Sequence, residues 1–300
     1  MGKDIDWRAA IPGLKVLEGE PMSRHTTFRI GGPAHWMLRP ADPDQAAAIL
    51  RLCREEGIKP FFLGNGSNLL VDDTGFDGVI LSTDAMDTTV SVSGEAFLYA
   101  GSGVLLPHLA NLAAEAGLSG LEFASGIPGS VGGGVRMNAG AYGGEMSQVL
   151  ERVDYLDEAG QYHTLTTDEC DLSYRHSIFC KKPWLITGAL FRLKPRDPVE
   201  IRGEMAELNR RRREKQPLDY PSAGSTFKRP QAHFAAALIE ECGLKGLTVG
   251  GAQVSEKHAG FVVNRGGATC ADVLALMQEV QAQVLEKTGV WLEPEVEILR

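Results

Sequence analysis

Residues 41–71 read ADPDQAAAILRLCREEGIKPFFLGNGSNLLV, and their pattern passes from helical period to short extended runs separated by a glycine turn. Asp42 stands where an N-cap belongs, Pro43 follows at the first helical position, and Gln45 completes a capping box. Ala46, Ile49, Leu50 and Cys53 then share one helical face, with Gly57 as the stop. After the helix come a short strand, PFFLG, the tight loop Gly64–Asn68, a second strand, LLV, and a turn-like DDTGFDG before VILS.

Beyond this stretch the chain turns to short alternating strands. VSVSG, AFLYAGSG, RVDYLDEAGQYHTL and WLITGALFRL fall between residues 84 and 195, interrupted by one helix, PHLANLAAEAG. Further on, residues 199–215 predict a polar helix, FAAALIEECGLKG a buried one, and ADVLALMQEVQAQVLEKTG an amphipathic one before WLEPEVEIL. The mixture predicts an α+β fold. Three hundred residues exceed the usual reach of one core, so two or three domains are expected.

Composition sets limits on function. Hydrophobic residues at 43% and charged ones at 23% describe a globular chain, and a net charge of −9 disfavours a nucleic-acid partner. The one concentrated cationic segment is NRRRREK at 209–215. Five scattered cysteines, none in C-x-x-C spacing, and seven histidines without paired ligand spacing point away from disulfides and metal and toward a reducing cytoplasm. The start MGKDIDWRAA lacks an apolar signal core, has Asp6 where myristoylation needs Ser or Thr, and no apolar run is long enough for a bilayer.

Two glycine blocks carry the first chemistry. Gly64-Asn65-Gly66-Ser67-Asn68 follows a strand and is able to turn its N–H groups on an anion, but it reads equally as a strand-connecting turn. It is neither a P-loop, lacking G-K-[ST], nor G-x-G-x-x-G, because Leu69 stands at the third glycine position. The longer SGIPGSVGGGVRMNAGAYGGE, residues 125–145, exceeds what a connector needs and suits the close approach of main chain to a large flat ligand.

GNGSNLLV, GIPGSVGG with NAGAYGGE, SYRHSIF, YPSAGSTFKRP, GAQVSEKHAGFVVN and LEPEVEI occur in an order and spacing similar to those of the UDP-N-acetylenolpyruvoylglucosamine reductase family, from about Ser23 to Ile298. The compact length and the NAGAYGGE form resemble its shorter subtype, which lacks an extra tyrosine loop. The resemblance implies an α+β fold with a two-subdomain FAD-binding, oxidase-like (PCMH-type) part and a third α+β substrate-binding domain. By residue number it implies FAD subdomains at 1–83 and at 84–203 with a C-terminal strand at 288–300, and a UDP-sugar domain at 204–287. It also implies the activity: noncovalent FAD, reduced by NADPH, passes hydride to C3 of UDP-N-acetylglucosamine enolpyruvate, and C2 is protonated to give UDP-N-acetylmuramate for the bacterial cell wall. The expected protein is a cytoplasmic flavoprotein oxidoreductase, a monomer, with no nucleic-acid or membrane partner.

The same resemblance assigns roles. FAD would meet Gly64, Asn65, Gly66, Ser67 and Asn68, and in the second block Ser125, Gly126, Pro128, Gly129, Ser130, Gly132, Gly133, Asn138, Ala139 and Gly140. Arg175 would hold the carboxylate onto which charge moves, a task its planar fork suits better than an ammonium. Glu295 would share that charge; Glu293 and Glu297 fall on the same face in a period-two strand, so a solvated edge is the plainer reading of the three. Ser225 would protonate C2, against the ordinary role of a serine in SAGST as a turn former bonding its own backbone. Tyr174, Arg211, Lys215 and Arg229 would touch the sugar nucleotide, although a helix C-terminus accounts for the cations of 210–215 without a ligand.

Three positions depart from the family pattern: Arg229 replaces the asparagine of FKNP, Gly260 the asparagine of HANF, and Glu297 the arginine after EV. The alternative function is an oxygen-using FAD oxidase on the same scaffold. Such oxidases often tether flavin through His or Cys, and neither glycine block contains one. A nonenzymatic sugar-nucleotide binder is a third reading.

Overall fold

A computed structural model describes residues 5–300. Met1–Asp4, part of the start considered above for targeting signals, lies outside the described residues. The chain divides into two compact units, one taking residues up to Glu18 with Trp36–Asn65 and Asp77–Arg211, the other Gly19–His35, Gly66–Phe76 and Arg212–Arg300.

In the first unit the helix is Pro43–Glu55, and the Asp42 carboxylate accepts from the Gln45 amide at 2.8 Å. The Gln45 side chain accepts from Ala41 N–H at 3.0 Å, one residue further back than a capping box requires. Its inner face packs Ile49, Leu50 and Cys53 against Trp7, Leu38 and Leu81. The strand Phe61–Leu63 pairs in parallel with Phe76–Ser82, in the register Leu63 to Ser82, which delivers the chain into Gly64. A five-stranded antiparallel sheet runs Tyr162–Thr166, Leu150–Leu156, Leu185–Arg192, Phe97–Gly101, Val90–Ser93. Its apolar face shares a core with the helix Leu106–Glu115, with Val131 and Val135 of the glycine block and with Met146 just after it.

The second unit is built on the helix Cys270–Thr288, capped by Thr269 with Asp272 and closed at Gly289, whose φ is +72°. Val273, Leu276, Met277 and Val280 meet Val254 and Val262 of a three-stranded sheet, Thr248–Val249, Ala252–Val254 and Val262–Asn264, and Leu238 and Ile239 of the helix Ala235–Glu241. The closing strand Glu297–Leu299 pairs in parallel with Leu69–Val71, whereas the sequence reading grouped it with residues 84–203. The glutamate run before it is not one continuous strand. Pro294 has no N–H to give a ladder, and Glu293 is exposed while Glu295 and Glu297 are partly buried.

Candidate active site

The second glycine block is ordered, and much of its glycine serves close packing. It contains a 3-10 turn, Glu122–Gly126, and a short helix, Val131–Arg136, capped by Ser130. A Cβ on Gly134 would come within 3.0 Å of Met146 Cε, and one on Gly144 within 2.6 Å of the Phe123 ring. A different group of glycines faces the first block. A Cβ on Gly64 would stand 2.6 Å from Ser130 Oγ, and Asn65 Nδ2 donates to Pro128 O at 2.7 Å. The main chain of Gly64–Asn65 thus lies against the start of the short helix beside Ser130 and Gly133, while a Cβ on Gly132 would meet Ser102 Cβ at 3.1 Å.

Arg175 sits at a turn tip. Ser173 and His176 exchange two main-chain hydrogen bonds of 3.1 Å, and Arg175 between them has φ +54°, in the left-handed region. A non-glycine residue there costs about 1 kcal/mol and persists only where the surroundings hold it. Tyr174 is 49% exposed, and the Arg175 guanidinium carbon lies 5.2 Å from its ring centroid.

In the second unit Ser225 follows Gly224, whose φ of +77° makes the turn that the sequence placed there. Thr226 is buried: its N–H donates to Gly260 O at 2.9 Å and its Oγ1 accepts from Val262 N at 2.9 Å. On the other side, Lys228 N donates to Glu293 O and Glu295 N to Thr226 O, both at 2.8 Å, so residues 226–228 pair antiparallel with 293–295. Asn68 also holds Glu295. Its Nδ2 donates to Glu295 O at 3.1 Å, and its own carbonyl accepts from Glu297 N at 3.0 Å. Glu293, two residues before Glu295, is tied to Lys228 at 2.5 Å. Ser225 itself is partly buried, and its hydroxyl makes no hydrogen bond among the described residues.

Arg210 and Arg211 both grip Glu207, Arg211 through Nε at 2.7 Å, and these bonds pull the Glu207 carboxyl down to about 2. Lys215 is exposed. Arg229 is also exposed and lies 4.6 Å above the ring centroid of Phe234, itself 62% exposed. Of the first block's other residues, Gly66 takes φ +59°, where a Cβ would fall 2.0 Å from His25 O.

Residues 216–299 match the model of the UDP-N-acetylenolpyruvoylglucosamine reductase C-terminal domain, and residues 34–166 that of an FAD binding domain. A protein of Agathobacter rectalis named UDP-N-acetylenolpyruvoylglucosamine reductase is 50% identical, across 96% of this chain and 95% of its own length. The chain belongs to the UDP-N-acetylenolpyruvoylglucosamine reductase family. A relative of the same name from Clostridium botulinum is 49% identical over 95% of this chain and 92% of its own. The crystal structure of the family's enzyme from Thermus caldophilus superposes with a TM-score of 0.81 at 36% identity, covering 96% of this chain and 99% of that one.

The residues present fit a flavin dinucleotide. Gly64 offers main chain where a side chain would collide with Ser130, and Ser102 Oγ, in a residue 0% exposed, has no hydrogen-bond partner among the described residues. Leaving a buried hydroxyl unpaired costs roughly 1–3 kcal/mol, which a polar ligand would relieve. Ser102 adjoins the block directly: its carbonyl accepts from Gly132 N at 3.0 Å. Sequence reasoning missed it, although Gly101-Ser102-Gly103 after a strand was the signal. Asn209 was missed too; its Nδ2 donates to Ser125 Oγ at 3.2 Å from the middle of a polar helix.

One family departure has a packing reason. A Cβ on Gly260 would come within 3.1 Å of His258 Cε1 and 3.2 Å of Ala236 Cβ, so the asparagine of HANF fits only if the imidazole gives way. His258 Nδ1 accepts from Gly260 N at 3.2 Å, and burial lowers its pKa, favouring the neutral ring.

Proposed function

We propose that this chain reduces UDP-N-acetylglucosamine enolpyruvate to UDP-N-acetylmuramate, with NADPH as reductant and noncovalent FAD, in cytoplasmic peptidoglycan precursor synthesis. The observation that carries the reading is the uncommitted Ser225 hydroxyl, one residue from the Thr226 to Glu295 hydrogen bond, inside the region that matches the family's C-terminal domain. Among the described residues no helix is long and apolar enough to cross a membrane.

FAD, when bound, supplies hydride for C3 of the enolpyruvyl ether. Gly64 and Asn65 would hold its pyrophosphate by main-chain N–H groups and Ser130 by its hydroxyl, with Gly132 and Gly133 beside them and Gly66, Ser67, Asn68, Ser125, Gly126, Pro128, Gly129, Ala139 and Gly140 along the remainder. The flavin on 1–203 and the sugar nucleotide on 204–287 is a division supported by the FAD model at 34–166 and the C-terminal domain at 216–299.

The chain's own residues handle charge and proton. Arg175 pairs with the substrate carboxylate as electrons move onto it, and the Glu295 carboxyl shares that charge, as the family pattern implies. Ser225 gives its proton to C2; a hydroxyl of ordinary acidity does this only to a strongly basic carbon. Tyr174, Lys215 and Arg229 contact the sugar nucleotide, Arg229 carrying its charge on the Phe234 face, and Arg211 adds charge attenuated by Glu207. Turnover in D2O tests the scheme: solvent deuterium at C2 is expected, and product without deuterium at C2 refutes protonation from an exchangeable group.

A further inference from the structure

Asn138, which the resemblance placed on the flavin, has a different set of neighbours. It is 1% exposed, its φ is +40°, and both ends of its carboxamide are bonded. Nδ2 donates to Ser173 O at 3.1 Å, and Oδ1 accepts from Ser147 N at 2.9 Å. Ser173 O is the same carbonyl that accepts from His176 N to close the turn carrying Tyr174 and Arg175. Just beyond the turn, Ser177, 0% exposed, donates from Oγ to Arg136 O at 2.7 Å, and Cys180 Sγ points to the same oxygen at 3.2 Å. The arginine turn is thereby fastened to the end of the glycine-rich helix on both flanks.

We propose that Asn138 is a positioning residue for Arg175, fixing the turn that holds the guanidinium rather than touching a ligand itself. The site makes three demands at once: tolerance of the left-handed region, an N–H donor for Ser173 and an acceptor for Ser147. Glycine meets the first alone, aspartate and serine lack the combination, and asparagine meets all three. Arg175 is in the left-handed region too, so its turn needs external bonds to stay in that form. This inference rests on the reading that Arg175 meets the substrate carboxylate.

The test uses Asn138→Gly, which keeps the backbone and removes the carboxamide, and Asn138→Asp, which keeps its shape and the Ser147 acceptor. Each is compared as holoprotein with Arg175→Lys for FAD per chain, flavin reduction by NADPH, and anaerobic flavin reoxidation by the enolpyruvyl substrate. FAD content and the NADPH step should stay within about twofold. Reoxidation should slow about 10²-fold, the cost of a misplaced group, and adding Arg175→Lys to Asn138→Gly should cost far less than it does alone. Loss of FAD, reoxidation at the parent rate, or full additivity overturns the proposal; if Asn138→Gly does not fold, Asn138→Asp decides by the first two criteria. Arg175→Lys that alone reoxidises at the parent rate refutes the reading of Arg175 itself, separately from the role of Asn138.

Discussion

Glu295 donates its main-chain N–H to the carbonyl of Thr226 at 2.8 Å, and the two residues are 69 positions apart in sequence. That bond and its companion from Lys228 to Glu293 stitch the closing segment to residues 226–228, which directly follow Ser225. The candidate acid and the candidate proton donor therefore belong to one hydrogen-bonded unit, with Asn68 bonded to the same segment.

Replacing Ser225 separates chemistry from stability. Ser225→Ala removes a hydroxyl with no partner among the described residues, so unfolding free energy should move by less than about 0.5 kcal/mol. Turnover of the enolpyruvyl substrate should fall on the order of 10²–10⁴-fold while NADPH still reduces the flavin. Stopped-flow measurement of the two half-reactions checks both halves of this expectation.

Its neighbour should behave in the opposite way. Thr226→Val leaves the buried Val262 N–H without the oxygen it now meets at 2.9 Å. Stability should drop by about 1–3 kcal/mol in urea unfolding, a loss that Ser225→Ala does not show.

Gly64→Ala bears on the cofactor. The new methyl would stand 2.6 Å from Ser130 Oγ, and the side chain that caps the short helix would have to move. The purified variant should carry markedly less flavin, read as the ratio of flavin to protein absorbance. Full flavin occupancy would remove Gly64 from the FAD contacts.

His258 gives a pH dependence of known sign. Burial comes first among the causes lowering its folded pKa below 6.5, followed in the same direction by Lys245 and Lys215. The unfolded chain then binds the proton more readily than the folded one. Its contribution to stability is present above 6.5 and is lost as pH falls through the lowered folded value. An imidazole resonance that titrates below 6.5 by NMR is the expected result, with a melting temperature that declines over the same interval.

The parts of the fold that were legible in the sequence are local. Asp42 and Pro43 announce the helix Pro43–Glu55 because a cap is settled within a turn, and the amphipathic period of 271–289 announces Cys270–Thr288, whose Thr269 cap the structure adds. The helix Val131–Arg136 was not legible, since glycine propensity argues against it and packing of Gly134 on Met146 and Leu106 prevails. Nor was the pairing of residues 226–228 with 293–295, or the bond from Asn138 to Ser173 across 35 positions, because neither has a local signal. For the site, the motifs supplied the residues; which hydroxyl is free and which asparagine is bonded emerged only from the tertiary contacts.

The most direct measurement of the central claim is anaerobic. The purified protein is reduced with NADPH, UDP-N-acetylglucosamine enolpyruvate is added, and the flavin spectrum is followed. Return of the oxidised flavin with one equivalent of UDP-N-acetylmuramate is the predicted result. A flavin that stays reduced until air is admitted would contradict the account and point to an oxygen-using oxidase.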